Sequence, residues 1–478
     1  MKSKLYVTTS IPYVNAEPHI GFALELVQAD VIARYGRLIG QAVRFQTGTD
    51  ENAFKNVLAA EQQGLTTQEL VDRNAERFRA LADTLCISTD DFIRTTEPRH
   101  RLGVHAFWNA LKPKDVVQRD YLGFYCTGCE DFYLERDLVD GKCPDHGIHP
   151  VEVAEKNYFF KLPQYEGWLA ECLEHRVLDV VPASRRNEVL SFIRRGLTEF
   201  SISRASERTN GWGTLVPGDD SQTVYVWVDA LINYISALGF GSGDQWREWW
   251  SSDVDKVHVI GKNVWKFHAI YWPALLRSAG LLLPNKVVVH GFVTVDGRKI
   301  GKSLGNTVDP FAIIDRYGPD TVRYYLLRAI SSFCDGDFTL ARLDELYRTD
   351  LANGIGNLVS RLASLCAKVG YDSVRPPGLT APPATFTTAI EAFEFDKALE
   401  ALFGIAVEIN RDIEQHRPCE LIHTNGTDNL RRLLAKWLNR VWILTTWLQP
   451  FLPDTSTGII ERLFSGPVHA ASPLFPRL

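Results

Sequence analysis

The chain contains no run of about 18 consecutive apolar residues, so nothing in it is long enough to cross a bilayer as a single helix. Its first residues, Met1-Lys2-Ser3-Lys4-Leu5, pass straight into a strand pattern and lack a secretory h-region. There is no excess of positive charge. With 52 Lys and Arg against 58 Asp and Glu, the net charge of −6 argues against indiscriminate nucleic-acid binding while allowing a local basic groove. An even disulfide framework is also missing. The 8 cysteines are clustered in a long chain, which points to a metal site with free thiols and to a cytoplasmic setting. No internal repeat is present. What remains is an ordinary globular composition, 45% apolar and 23% charged. At 478 residues it exceeds what one core supports, so about two to four domains are expected.

The stretch from Leu5 to Phe22 organises the N-terminal region. Alternating apolar and hydroxyl residues from Leu5 predict a buried parallel strand, and Pro12, Asn15 and Pro18 mark a turn. Ile20, Ala23, Leu24, Val27 and Val31 then recur at helical spacing, with Gly40 as a stop. His19 and Gly21 therefore fall at a strand-to-helix handover, where backbone N–H groups and the helix dipole favour an anion. A packing histidine in a βα turn explains the same residues. Val43 to Thr49 predicts a second strand, ending in Asp50. At the carboxyl end of such a strand Asp50 suits a ligand cation, or equally an N-cap for the following helix.

From about residue 113 to 225 the α/β rhythm gives way to short strands and turns. Cys126-Thr127-Gly128-Cys129 is separated by thirteen residues from Cys143-Pro144-Asp145-His146. Paired knuckles of this spacing give one metal ion tetrahedral S3N coordination by Cys126, Cys129, Cys143 and His146. Thiolate and imidazole ligands favour zinc, and a closed four-ligand site is structural. His149 would break the two-residue spacing.

The α/β pattern returns with Tyr225 to Ala230, read as a strand entering a helix, and with strands at Val257–Lys262 and Val287–Gly291. Asp296 to Asn306 then packs three basic residues and three glycines into eleven positions. Such a loop suits an anion clamp, although an Asp-Gly hairpin is the ordinary reading. Beyond about residue 320 the pattern is helical over Thr321–Ile330, Leu343–Val369, Phe386–Gln415 and Asp428–Pro450, which predicts a helical bundle.

Together these stretches resemble the methionyl-tRNA synthetase family of class I aminoacyl-tRNA synthetases. Pro18-His19-Ile20-Gly21-Phe22 is similar to the first class signature, and Lys299-Ile300-Gly301-Lys302-Ser303 to the second. Phe92–Thr96, the cysteine knuckles, Asn187–Leu190, Ser201–Arg204, Val216–Asp219, Tyr225–Trp227, Phe267–Ala274 and Leu351–Leu358 follow in family order.

The resemblance implies an α/β fold: a Rossmann-type parallel-sheet catalytic domain (1–112 and 226–295) with a zinc-bearing connective insert (113–225). A stem-contact segment (296–345) and an α-helical anticodon-binding domain (346–478) would follow. It implies activation of methionine by ATP with Mg, and transfer to tRNA(Met). His19, Lys299 and Lys302 would be catalytic. ATP would meet His19, Gly21, Phe22, Gly261, Lys262, Asn263, Lys302 and Ser303. Methionine would lie among Ile11, Tyr13, Asp50, Trp227, Ala230, Leu231, Tyr234, Val264 and His268. Asp50 would hold its ammonium, and Tyr13 or His268 would donate a hydrogen bond to the thioether. Asn357 and Arg361, one helical turn apart, would read the anticodon. The chain ends soon after the bundle pattern, which predicts a monomer.

Several positions depart from the family. Phe22 replaces the second signature histidine, Ile300-Gly301 replaces Met-Ser, and Asn52-Ala53-Phe54 replaces a His-Gly-Gln-like stretch. Asn263 stands for an aspartate near the ribose, and Cys419 for a tryptophan that stacks on an anticodon base. These departures leave a second reading, a synthetase-like paralogue serving another acceptor or a binding protein with weakened catalysis.

Overall fold

In the computed structural model the described residues are 2–478, apart from 127, 129, 134, 145–146, 301–304, 424–426, 469–471 and 477–478. For residues 131, 136, 299, 374, 422 and 423 only the backbone is described. The chain divides into two compact units. The first comprises Met1–Pro18, Ile39–Ala82 and Ser88–Val289, and the second His19–Leu38, Asp83–Ile87 and His290–Leu478.

The first unit is built on a six-stranded sheet. Its strands are β1 (Lys4–Thr9), β2 (Ala42–Thr49), β3 (Asp91–Arg94), β4 (Asp179–Val181), β5 (Val254–Gly261) and β6 (Lys286–His290), in the order β3-β2-β1-β5-β6-β4. β1 pairs in parallel with β2 and β5, and β2 with β3. Leu5 to Thr9 are all buried, which is why this strand reads as apolar residues and small hydroxyls rather than as a half-polar ribbon. The strand order reverses across β1 and β5, so the loops after Thr9 and Gly261 open at a topological switch point. A separate four-stranded antiparallel sheet is centred on Val116–Cys126 and Val151–Phe160.

The Tyr225–Ala230 segment departs from its predicted strand. β-structure ends at Val224, and Val226–Leu231 is helical (α3 below), opened by Val228 and Asp229 amides donating to the Tyr225 carbonyl. Its β-branched and aromatic residues reflect burial, not an extended backbone.

The second unit contains α1 (Ile20–Leu38), which stops just before Gly40 at φ 85°. α2 (Phe54–Gln63) and α3 (Val226–Leu231) belong to the first unit. The bundle follows with α4 (Pro319–Arg328), α5 (Asn357–Val369), α6 (Phe395–His416), α7 (Thr427–Leu448) and α8 (Pro453–Phe464). The predicted helix over 343–369 is split, with Tyr347–Gly356 in π-helical geometry before α5. The one predicted over 386–415 breaks at Phe393, whose φ is 59°. Within this unit α1 is held by buried polar pairs. Asp30 accepts from Arg323 at 2.7 Å, and Glu25 meets His290 at 2.9 Å. No described helix is long and apolar enough to cross a membrane.

Candidate active site

In the first unit the residues expected around the amino-acid side chain do converge. Tyr13 lies 5.6 Å, centroid to centroid, from Trp227, and Trp227 stacks on Phe267 at 4.0 Å. Ala230, Leu231, Tyr234, Val264 and His268 are buried in the same hydrophobic cluster or beside it, and Ile11 is half-buried. The pairing of polar atoms separates the two candidates for the thioether bond. His268 Nδ1 lies 2.9 Å from the Val264 carbonyl, which only accepts, so the ring proton is on Nδ1. Nε2 then accepts from the Tyr234 hydroxyl at 2.7 Å, and the neutral ring has no second N–H to offer. The buried Tyr13 hydroxyl, by contrast, has no partner among the described residues.

Burial holds His268 neutral, lowering its pKa to about 4, and pushes neighbouring His258 well below the usual imidazole range. The unfolded chain takes up these protons at pH about 6.5, so their contribution to stability is complete above that value and lost as pH falls toward about 4. At pH 5.5 buried His268 is expected to cost about 1.4 kcal/mol relative to pH 7.5, and His258 acts in the same direction. Urea unfolding at the two pH values should show this loss, and a His268→Gln variant should lose about one proton's share of it.

Asp50 follows the last residue of β2 and bridges to Tyr13 across the sheet end, its amide donating to the Pro12 carbonyl at 2.8 Å. It is 1% exposed. Burial raises its pKa well above the usual carboxylate range, and the nearby charges of Asp229 and Glu130 push in the same direction. A buried carboxylate among carboxylates is unfavourable until a cation reaches it, which favours the ligand reading over the N-cap. α2 does not begin at Asp50 at all; its N-cap position is Ala53. Asp229 and His100, which no sequence motif marks, support this corner together with Asn52. Asn52 Nδ2 donates to Asp229 at 2.9 Å, and His100 Nε2 lies 3.2 Å from the same carboxylate oxygen. Asp229 is a lone acid in an apolar run, and that was the available signal. Beyond β5, Gly261 is buried, Lys262 half-buried and Asn263 exposed.

In the second unit His19 immediately precedes α1. Its carbonyl accepts from Phe22 N–H at 3.0 Å, and its Nδ1 accepts from Gly21 N–H at 3.1 Å. A Cβ at residue 21 would lie 2.9 Å from the imidazole, so only glycine lets the ring fold over the helix start. Two of the amides expected to await an anion are therefore engaged by His19 itself. Lys299 is in a short strand, and Ile300 packs toward Gly21. Lys302 and Ser303 lie outside the described residues.

Of the expected metal ligands, Cys129 and His146 also lie outside the described residues. Among the described residues no group of three or more His, Cys, Asp or Glu is gathered for a metal. Cys126 and Cys143 are buried, and their carbonyls accept from Glu130 and Gly147 amides, each at 2.8 Å. Two buried thiols suit a thiophilic ion such as zinc.

In the bundle, Asn357 opens α5 and Arg361 lies one turn on, 4.0 Å from Glu414. Both line a cleft of about 550 Å³ with Lys368, Arg417 and Cys419.

A doubly wound sheet with an acid-and-aromatic cluster near its switch point, a His-x-Gly helix start and a helical bundle defines a class I aminoacyl-tRNA synthetase. The profile of the family described as tRNA synthetases class I (M) matches residues 5–149 and 146–363. The methionine–tRNA ligase of Brucella suis is 39% identical over 97% of this chain and 92% of its own length. That of Thermotoga maritima is 39% identical over 96% of this chain and 75% of its own. The Mycobacterium tuberculosis methionyl-tRNA synthetase in complex with methionyl-adenylate superposes with a TM-score of 0.92 at 35% identity, covering 100% of both chains. Its apo form gives 0.84 at 32% identity. The chain belongs to the methionine–tRNA ligase family.

Proposed function

We propose that this chain activates L-methionine with ATP and transfers it to the 3′-terminal adenosine of tRNA(Met). The observation that carries this reading is the buried, electrostatically unfavourable Asp50 beside an aromatic pocket with one orphan hydroxyl. A methionine zwitterion answers both: its ammonium neutralises Asp50, and its thioether accepts from Tyr13.

In the first half-reaction a methionine carboxylate oxygen attacks the α-phosphorus in line. The bond to the pyrophosphate oxygen breaks, giving methionyl-adenylate. Positioning and charge stabilisation are the protein's contribution. Phosphates are bound by His19 and the α1 N-terminus, and the departing pyrophosphate by Lys299, Lys302 and Ser303. Phe22 offers no hydrogen bond there, which leaves His19 and the lysines to carry the anion. Gly261, Lys262 and Asn263 face the nucleoside, Asn263 by hydrogen bond without charge. Magnesium accompanies ATP. Cys126, Cys129, Cys143 and His146 would hold zinc, which would order the insert without entering the reaction. Asn357 and Arg361 read the anticodon in the bundle cleft, and Cys419 supplies none of the stacking, typically about 1–3 kcal/mol, that an aromatic gives. The protein acts in the cytoplasm as a monomer.

Phe22 and Cys419 favour one alternative, a paralogue that activates methionine for another acceptor. Methionine-dependent ATP–pyrophosphate exchange, followed by charging of tRNA transcripts with native and altered anticodons, separates the two. Exchange with anticodon-dependent charging supports the ligase; exchange without charging supports the paralogue; no exchange with methionine removes both.

A further inference from the structure

We infer that Glu130, on the first metal knuckle, is a positioning residue that ties the knuckle to the methionine site. This inference rests on the methionine-activating reading above. Glu130 is 2% exposed and sits in the left-handed region at φ 55°, where its own amide donates to the Cys126 carbonyl at 2.8 Å. A non-glycine residue held there is over-determined by its surroundings. Its side chain leaves the insert and ends at the start of α2. Glu130 Oε1 accepts from the Lys55 amide at 2.8 Å.

This is a helix cap supplied from a distant part of the sequence. The N-cap residue of α2 is Ala53, which has no side-chain oxygen, so the first amides of the helix depend on another acceptor. A carboxylate there also meets the positive end of the helix dipole. The first turn of α2 in turn fixes the methionine corner. Asn56 Nδ2 donates to the Asp50 carbonyl at 3.3 Å and the Glu51 carbonyl at 2.8 Å. Lys55 Nζ lies 5.0 Å from the centre of the Tyr13 ring. The path therefore runs from the Cys126 turn through Glu130 to α2, and from α2 to both Asp50 and Tyr13. Metal loading of the knuckle sets methionine affinity by this route.

The full-length enzyme tests this with three measurements: exchange kinetics, methionine binding by tryptophan fluorescence, and bound zinc. Glu130→Ala is expected to raise the methionine KM and Kd tenfold or more, with kcat and the ATP KM changed less than threefold and zinc content as in the wild type. Glu130→Gln, which keeps an acceptor, should recover most of the affinity. Removing zinc with a chelator should raise the wild-type methionine Kd similarly and add little to Glu130→Ala, because both act on one element. A wild-type methionine Kd in Glu130→Ala overturns the inference. So do loss of zinc from that variant, or a Glu130→Gln affinity no better than that of Glu130→Ala. Wild-type protein without methionine-dependent exchange would instead sink the functional reading on which the inference stands.

Discussion

Asp50→Asn is expected to lower kcat/KM for methionine by about 30-fold to several thousand-fold in pyrophosphate exchange, leaving the ATP KM within threefold. The range corresponds to about 2–5 kcal/mol, the usual cost of truncating one partner of a buried charge pair. The substitution is nearly isosteric, and the asparagine oxygen can still accept from the Asn52 amide, which lies 3.3 Å from Asp50 Oδ1. What disappears is the negative charge that the methionine ammonium requires. Stability should move the other way. In the free protein Asp50 is desolvated and lies near Asp229 and Glu130, so neutralising it removes an unfavourable term, and urea unfolding should show unchanged or increased stability. Lower activity with equal or greater stability identifies a residue kept for ligand binding at the fold's expense. A kcat/KM within threefold of wild type would show that the ammonium is held elsewhere.

How far this corner was readable in the sequence depends on the kind of signal. β1, β2 and β5 were legible from β-branched, aromatic and hydroxyl residues bounded by turn residues, and Asp50 was legible because it follows β2 directly. Family resemblance then gathered Tyr13, Trp227 and His268. It did not say which of them could donate to sulfur, since that depends on whether Val264 and Tyr234 occupy the His268 nitrogens. Glu130 and His100 were not singled out at all. Each stands among other polar residues and its partner lies far along the chain, and composition and period carry no trace of such pairs. The Tyr225–Ala230 stretch was misread because burial selects the same β-branched and aromatic residues in a short core helix as in a strand. Similarly, apolar periodicity over Leu343–Val369 does not reveal the π-helical geometry of Tyr347–Gly356, which changes the face presented by each residue.

Arg323→Met is expected to destabilise the second unit by about 3–5 kcal/mol, the cost of leaving a buried charge without its partner. Arg323 and Asp30 are both fully buried, 2.7 Å apart. The guanidinium also donates to the Phe451, Pro450 and Leu85 carbonyls at 2.7, 2.9 and 3.2 Å. One side chain thus joins α1, the Asp83–Ile87 segment and the turn between α7 and α8, and methionine can replace its volume but none of its donors. Asp30 keeps a second partner in Arg34 at 2.7 Å, which places the expected loss toward the lower end of the range. Arg323→Lys should fall between methionine and wild type, since an ammonium restores the charge without the planar fork. Combining Arg323→Met with Asp30→Asn should cost less than the sum of the single changes, because neither member of the fully buried pair is then left as an unpaired charge and only the more exposed Arg34 loses its carboxylate. Additive losses in urea unfolding would show that the carbonyl bonds, and not the ion pair, hold this junction. The same variants bear on catalysis, because α1 begins at the His19–Gly21 turn. If its attachment to the bundle sets that turn, Arg323→Lys should raise the ATP KM while leaving the methionine KM unchanged, the reverse of the pattern expected for Asp50→Asn.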